Sequence, residues 1–138
     1  MTTLERLYEQ ARVEGIAVKN FPLPKTISTA VRIDGRYYIG IDRSRLETSY
    51  EEAECLAHEL GHCRTDSFYP LGASHRKKLE NKAEEWAILR LISFKRFLLA
   101  LKSGCREVWE FAEELGISYP FAEKVVRYYL TKLTPQYT

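Results

Sequence analysis

Two histidines stand four residues apart at positions 58 and 62, with a glutamate directly after the first, in the segment AECLAHELGHCR. Residues four apart on an α-helix lie on one face, because each residue advances the direction of its side chain by about 100°. His58 and His62 can therefore each direct one ring nitrogen at a single metal ion. Glu59 lies beside them, where it can accept a proton from a water that the metal activates. This H-E-x-x-H spacing predicts a helix through the segment and a zinc metallopeptidase site.

A third protein ligand would separate a metal site from an ordinary pair of packed or solvated histidines. In the helix predicted over residues 75–102, Glu80 falls on the same face as a series of small and apolar residues. An unpaired carboxylate on such a face is unfavourable, so Glu80 is expected to meet a cation, either the metal ion or a basic side chain. Glu84, at the edge of the same face, and Asp66, one turn beyond His62, are the alternative ligands.

The two motifs together, AHELGH and the later E-x-x-A-x-x-W-A at residues 80–87, resemble the ImmA/IrrE metallopeptidases, which are common in phages, prophages and mobile elements of bacteria. The resemblance implies a minimal zincin-like fold, Zn²⁺ held by His58, His62 and Glu80, and Glu59 as the general base. Many members of the family have a further histidine soon after the first motif, and this chain has Cys-Arg-Thr-Asp there.

The resemblance also has consequences for the partner and the reaction. Characterised members act on helix-turn-helix repressors of the phage-immunity type. The implied protein is a cytoplasmic zinc endopeptidase of a bacterial host cell that hydrolyses a peptide bond in such a repressor, encoded nearby. The second hypothesis, from a different class, is a DNA-binding or partner-binding regulator whose metal site is structural or vestigial.

The rest of the chain predicts an α+β fold. A first helix capped by Thr3 ends at Gly15, and GIAVKNF is typical of a short strand. Two β-rich runs within residues 27–42 flank Asp34-Gly35, a dipeptide that favours a hairpin because both residues tolerate positive φ. The expected sheet is small, three-stranded and mostly antiparallel, and it packs on the H-E-x-x-H helix and on the second ligand-bearing helix.

The helix boundaries define the expected domains. Ser49 is expected to cap the histidine helix, and the second long helix is expected to bend near Ser93. Residues 1–102 are predicted to form the zincin-like domain, and residues 103–138 a helical extension packed on it. The extension has the size of a helix-turn-helix, with Gly116 at the turn, but packing on the core or binding a partner is the favoured role for it.

Several polar side chains near the loop between the two long helices are candidates to stabilise an oxyanion or to support a metal ligand. An ordinary solvated side chain is the alternative for each of them. Cys55 lies one turn before His58, where it could touch the metal, but a small buried thiol is the commoner outcome. The candidates are Tyr69, His75, Arg64 and Asp66.

Composition narrows the choice of compartment and partner. The formal charge of +2 is too near balance to argue for nucleic acid, so direct nucleic-acid binding ranks below protein binding. Three cysteines without a C-x-x-C pair favour a reducing compartment. The charged start MTTLERLYEQ lacks the apolar run of a signal peptide, and no stretch has the length of a membrane span. We therefore expect a cytoplasmic protein with no membrane partner.

Overall fold

The computed structural model describes residues 1–69 and 75–137, and their side chains as far as residue 133. The chain forms two compact units, Met1–Ala87 and Ile88–Thr138. The predicted division after residue 102 lies within the second of these units. The described residues form six α-helices and one small sheet, so the predicted α+β class is confirmed.

The first unit consists of a three-stranded sheet, two helices that pack against it and most of a third helix. Its core comes from the first helix, the middle strand and the histidine helix, which contribute Leu7, Ile39 and Leu56 as fully buried side chains. The elements in chain order are α1 (Thr3–Val13), β1 (Ala17–Asn20), β2 (Ser28–Ile33), β3 (Arg36–Ile41), a short 3-10 turn (Arg43–Arg45), α2 (Ser49–Thr65) and most of α3 (Arg76–Leu91).

The sheet is mixed, and the expectation of a mostly antiparallel sheet needs correction. Its strand order is β1-β3-β2, with β2 antiparallel to β3 and β1 parallel to β3. The β2–β3 hairpin turns at Asp34 and Gly35, both of which have positive φ, as the dipeptide predicts. The chain carries no comparable local signal for β1, because its partner β3 is not its neighbour in sequence. β3 is the middle strand, and its Ile39 and Ile41 side chains are buried. β2 lies at an edge of the sheet.

Thr48, rather than Ser49, caps α2. Its hydroxyl accepts a hydrogen bond from the backbone N–H of Glu51, and the Glu51 carboxylate accepts one from the backbone N–H of Thr48. The predicted capping box is therefore placed one residue too late, and α1 shows the same shift, since Thr2 caps it instead of Thr3. Each helix begins at the second of two adjacent hydroxyl-bearing residues, so residue type alone does not select the cap.

The second unit is helical. The bend expected near Ser93 is a complete break, because the Ser93 hydroxyl accepts a hydrogen bond from the backbone N–H of Arg96 and so begins a new helix. Phe97 is fully buried, and its ring stacks on those of Phe111 and Tyr129. The ring centroids are 5.2 Å apart for Phe111 and 5.1 Å apart for Tyr129. The helices of this unit are α4 (Phe94–Lys102), α5 (Val108–Leu115) and α6 (Tyr119–Tyr137).

Within the described residues, every helix is too short or too polar to cross a bilayer.

Candidate metal centre

Two helices bring three potential metal ligands together. α2 places the His58 and His62 rings one helical turn apart, with their centroids separated by 5.0 Å. α3 supplies Glu80, whose Oε1 lies 3.1 Å from Nε2 of His58 and whose Oε2 lies 2.7 Å from Nε2 of His62. One ligand atom from each residue lies within 4.8 Å of the others. The three residues could therefore bind one metal ion, and among the described residues the cluster includes Glu80 and not Glu84.

The hydrogen bonding of His62 tests whether this group suits a cation. A neutral imidazole has one N–H and one lone pair. Nδ1 of His62 lies 2.6 Å from the backbone carbonyl oxygen of Ser67, which can only accept, so the proton is on Nδ1. Nε2 then directs its lone pair at Oε2 of Glu80, which is also an acceptor. Two acceptors 2.7 Å apart repel each other unless a proton shared between them or a metal ion lies with them.

The separations are also compatible with a metal ion. Imidazole and carboxylate ligands bind zinc at about 2.0–2.2 Å, so two ligands of a tetrahedral ion stand roughly 3.4 Å apart. The 3.1 Å distance between His58 and Glu80 is close to this value, and the 2.7 Å distance between His62 and Glu80 requires a shift of the carboxylate by less than an ångström. The donor set of two nitrogens and one oxygen is also that of catalytic zinc sites with a position left open for water.

Gly61 allows the two helices to approach this closely. A Cβ atom at position 61 would lie 2.5 Å from the carbonyl oxygen of Ala83 and 3.0 Å from its Cα. Ala83 is fully buried against α2, as its small size predicts. The sequence analysis does not single out Gly61. A signal was present, because a glycine in the middle of a helix costs about 1 kcal/mol relative to alanine and so indicates a packing requirement.

Glu80 is less buried than its position on the helix face predicts. Its side chain is 37% exposed, whereas that of His62 is buried and that of His58 is partly buried. The fully buried part of this face, Ala83 and Ala87, begins one turn later along α3. The requirement for a positive charge therefore arises from His62, whose Nε2 lone pair faces Glu80, and not from desolvation of the carboxylate. The same exposure leaves the cluster accessible to water from one side.

Glu59 is buried beside the cluster and has a different set of contacts. Its Oε2 accepts a hydrogen bond of 2.7 Å from the hydroxyl of Ser28, the first residue of β2. Burial raises the pKa of Glu59, and the hydrogen bond from Ser28 acts in the opposite direction. A buried carboxylate with one oxygen bound and a raised pKa has the properties of a general base. Ser28 could not be found from sequence, because a serine at the start of a strand is unremarkable by itself.

Asp66 lies at the end of α2 and interacts with the hairpin instead of the metal cluster. Its carboxylate accepts hydrogen bonds from Nη1 of Arg32 at 2.6 and 2.8 Å and from the hydroxyl of Tyr37 at 3.2 Å. Its backbone is left-handed, with φ of 50°, and the next residue provides the carbonyl that binds His62. Asp66 is therefore linked to His62 through the backbone of Ser67.

The other polar candidates have the following positions. Arg64 forms an ion pair of 3.0 Å with Glu14 and so faces α1. The ring of Tyr69 lies 4.8 Å from the guanidinium of Arg76. His75 is exposed immediately before α3. Residues 70–74, which connect Tyr69 to His75, lie outside the described part of the chain, and the oxyanion role of Tyr69 and His75 stays a prediction.

The cysteines near the site are free thiols with raised pKa values. Burial raises the pKa of Cys63 to about 12 and also raises the pKa of Cys55. Metal binding and nucleophilic attack require the thiolate. Near neutral pH both residues therefore carry S–H groups. Cys63 is buried, whereas Cys55, for which a buried thiol was the expectation, is only partly buried.

Comparisons of this chain with protein-family models, with curated proteins and with solved structures gave no match.

Proposed function

We propose that this protein is a zinc-dependent endopeptidase. The observation that carries this function is the arrangement of His62, whose Nδ1–H binds a backbone carbonyl while Nε2 faces an acceptor oxygen of Glu80. His58 approaches the other oxygen of the same carboxylate. A buried glutamate, Glu59, lies in the same helix turn. Two imidazoles, one carboxylate and an adjacent separate carboxylate are the parts of a hydrolytic zinc site.

His58, His62 and Glu80 are the residues that would bind the zinc ion. His58 and His62 would bind it through Nε2, and Glu80 through its carboxylate. Zinc bound in this way lowers the pKa of a coordinated water toward neutrality and polarises the carbonyl of a peptide bond. The exposed side of Glu80 provides the access that water and a peptide need.

Glu59 is the general base that would take the proton of the attacking water. Ser28 occupies Oε2, which leaves Oε1 to accept a proton from the attacking water and to pass it to the leaving amine. Burial keeps the carboxylate out of bulk water, and a nearby divalent cation would favour its ionised form. The Ser28 contact fixes the direction of the carboxylate on the helix.

Strand β2 offers a place for the substrate. It is an edge strand of the sheet, so its outer backbone groups can pair with an extended peptide. Its first residue, Ser28, contacts Glu59, so a peptide added to this edge passes near the base. A substrate bound mainly through its backbone is selected by its extended conformation more than by one side chain.

The resemblance to the ImmA/IrrE family supports a regulatory substrate, a helix-turn-helix repressor encoded nearby, and an intracellular site of action. The alternative, a DNA-binding regulator with a structural metal, has weaker support. The α5–Gly116–α6 pair has helix-turn-helix spacing, but α5 carries Glu110, Glu113 and Glu114, which repel phosphates.

Removing the carboxylate of Glu80 tests the metal centre and the activity together. Glu80→Ala should bind zinc much more weakly than the wild type, by more than the roughly 10- to 100-fold that loss of a supporting partner causes. Zinc content is measured after dialysis. Cleavage of a proteome-derived peptide library and of the neighbouring repressor is measured by mass spectrometry.

Glu85→Ala is the matched control, because Glu85 lies on the same helix and is exposed. It should keep the zinc content and the activity of the wild type. Undiminished zinc binding by Glu80→Ala would remove Glu80 from the ligand set. If the zinc-loaded wild type cleaves neither the library nor the repressor, the endopeptidase function is wrong. Tight duplex DNA binding by the full chain would then favour the alternative.

A further inference from the structure

His62 is held by a backbone carbonyl that belongs to a short segment after α2. Nδ1 of His62 donates to the carbonyl oxygen of Ser67 at 2.6 Å, and both residues are buried. This bond fixes the proton on Nδ1 and the orientation of the ring, so it decides where Nε2 points. A carbonyl that moved would release the ring and allow the other tautomer.

The Ser67 carbonyl reaches back to His62 because the chain reverses at Asp66. The backbone of Asp66 is left-handed, with φ of 50° and ψ of 40°. The backbone N–H of Ser67 then donates to the carbonyl oxygen of His62 at 3.0 Å, which closes the end of the helix. Aspartate is one of the few residues besides glycine that adopt this conformation readily, and contacts from the β2–β3 hairpin hold the Asp66 side chain in addition.

Those contacts come from one rung of the β2–β3 hairpin. Arg32 and Tyr37 are directly opposite each other in the strand register. Arg32 donates to both carboxylate oxygens of Asp66, and the hydroxyl of Tyr37 donates to one of them. Phe68 adds a second attachment, since its ring stacks on Tyr37 at 5.7 Å with 16° between the planes. The segment on both sides of Ser67 is thus bound to the same rung.

We propose that Arg32 and Asp66 are positioning residues for the metal ligand His62 and act on it through the carbonyl of Ser67. This role rests on the proposed metal centre and extends it to the hairpin. Arg32 and Asp66 are 47% and 54% exposed, so their ion pair contributes little to global stability. Loss of the pair should therefore lower the metal affinity strongly and change the free energy of unfolding little. This difference separates a positioning role from a structural one.

The test compares Asp66→Asn and Arg32→Ala with Glu14→Gln. Asparagine tolerates the left-handed backbone, so Asp66→Asn removes the charge without changing the local preference. Glu14→Gln makes the same kind of change, an acid to its amide, in a partly exposed ion pair with Arg64 that is separate from the Arg32–Asp66 pair. Zinc dissociation constants are measured on the full chain by competition with a chromophoric chelator. The visible spectrum of the Co²⁺-loaded protein reports the ligand geometry.

We expect a 10- to 100-fold weaker zinc affinity in Asp66→Asn and in Arg32→Ala, with a changed Co²⁺ spectrum and a nearly unchanged melting temperature without metal. Glu14→Gln should behave as the wild type. The double variant should be no weaker than the weaker single variant, because the two residues act as one pair. If one variant fails to fold, the other one carries the test.

Zinc affinity within twofold of the wild type in both single variants would overturn the positioning role. A wild-type protein that binds no zinc would overturn both this role and the metal centre. A wild-type protein that binds zinc and cleaves nothing would contradict only the endopeptidase function, since the readout here is metal binding and not hydrolysis.

Discussion

Glu59→Gln should lower the rate of peptide hydrolysis by about 10²- to 10⁴-fold, the usual contribution of a general base, and leave zinc binding intact. Glutamine has the same shape as glutamate and can keep a hydrogen bond with Ser28, but its amide cannot accept the proton of the attacking water. Glu59 lies outside the ligand cluster of His58, His62 and Glu80 among the described residues. The expected result is therefore a zinc-loaded, folded and nearly inactive protein.

Hydrolysis is measured as kcat/KM on the best-cleaved peptide of the library, and zinc content on the same sample. Glu85→Gln is the control, because it makes the same change at an exposed position on α3. A Glu59→Gln protein that keeps its zinc and cleaves at the wild-type rate would show that the base lies elsewhere. Loss of zinc together with activity would instead place Glu59 among the residues that hold the metal.

Gly61→Ala should destabilise the protein and weaken its metal site, although alanine is the better helix former. Helix propensity alone predicts a gain of about 0.5–1 kcal/mol in the free energy of unfolding for this change. The added Cβ would lie 2.5 Å from the backbone oxygen of Ala83, so α2 and α3 must separate. Overpacking of this kind typically costs about 1–3 kcal/mol, and neither backbone can move aside as a side chain would. We expect a net loss of stability.

The same separation moves Glu80 on α3 away from the histidines on α2, so zinc affinity should fall as well. Urea unfolding of the metal-free protein and chelator competition measure the two effects. Gly40→Ala is the matched control, because a Cβ at position 40 meets its nearest atom at 3.7 Å, an ordinary contact. A Gly61→Ala protein that is as stable as the wild type and binds zinc as tightly would show that the helices do not need this close approach.

The sequence predicts the helix that carries His58 and His62, the hairpin at Asp34-Gly35 and the inclusion of Glu80 in the candidate metal cluster, because each prediction depends on local spacing. The helix caps are predicted one residue too late, because adjacent hydroxyl-bearing residues can each cap a helix. The parallel pairing of β1 with β3 was missed, since that pairing joins strands that are not neighbours in sequence. Sequence periodicity therefore predicts individual helices and strands more reliably than it predicts which strands pair with each other.

The position of Glu80 on its helix face predicts burial, but the carboxylate is partly exposed. It faces a positive charge for another reason, which is the Nε2 lone pair of His62 beside it. Asp66 is a candidate from its position one turn beyond His62, but neither Ser28 nor Arg32 has an individual signal. Their contacts join residues far apart in sequence, 31 positions for Ser28 and Glu59 and 34 for Arg32 and Asp66.

The sequence by itself determined which side chains could take part in the chemistry, because helical spacing places His58, Glu59 and His62 together whatever surrounds them. Only the tertiary structure decided which of them would face a third ligand, how each is oriented and which hydrogen bonds hold it. Those features depend on the approach of α3 at Gly61 and on contacts from the hairpin. Local sequence fixes directions along one helix, whereas distances between elements are set by packing across the fold.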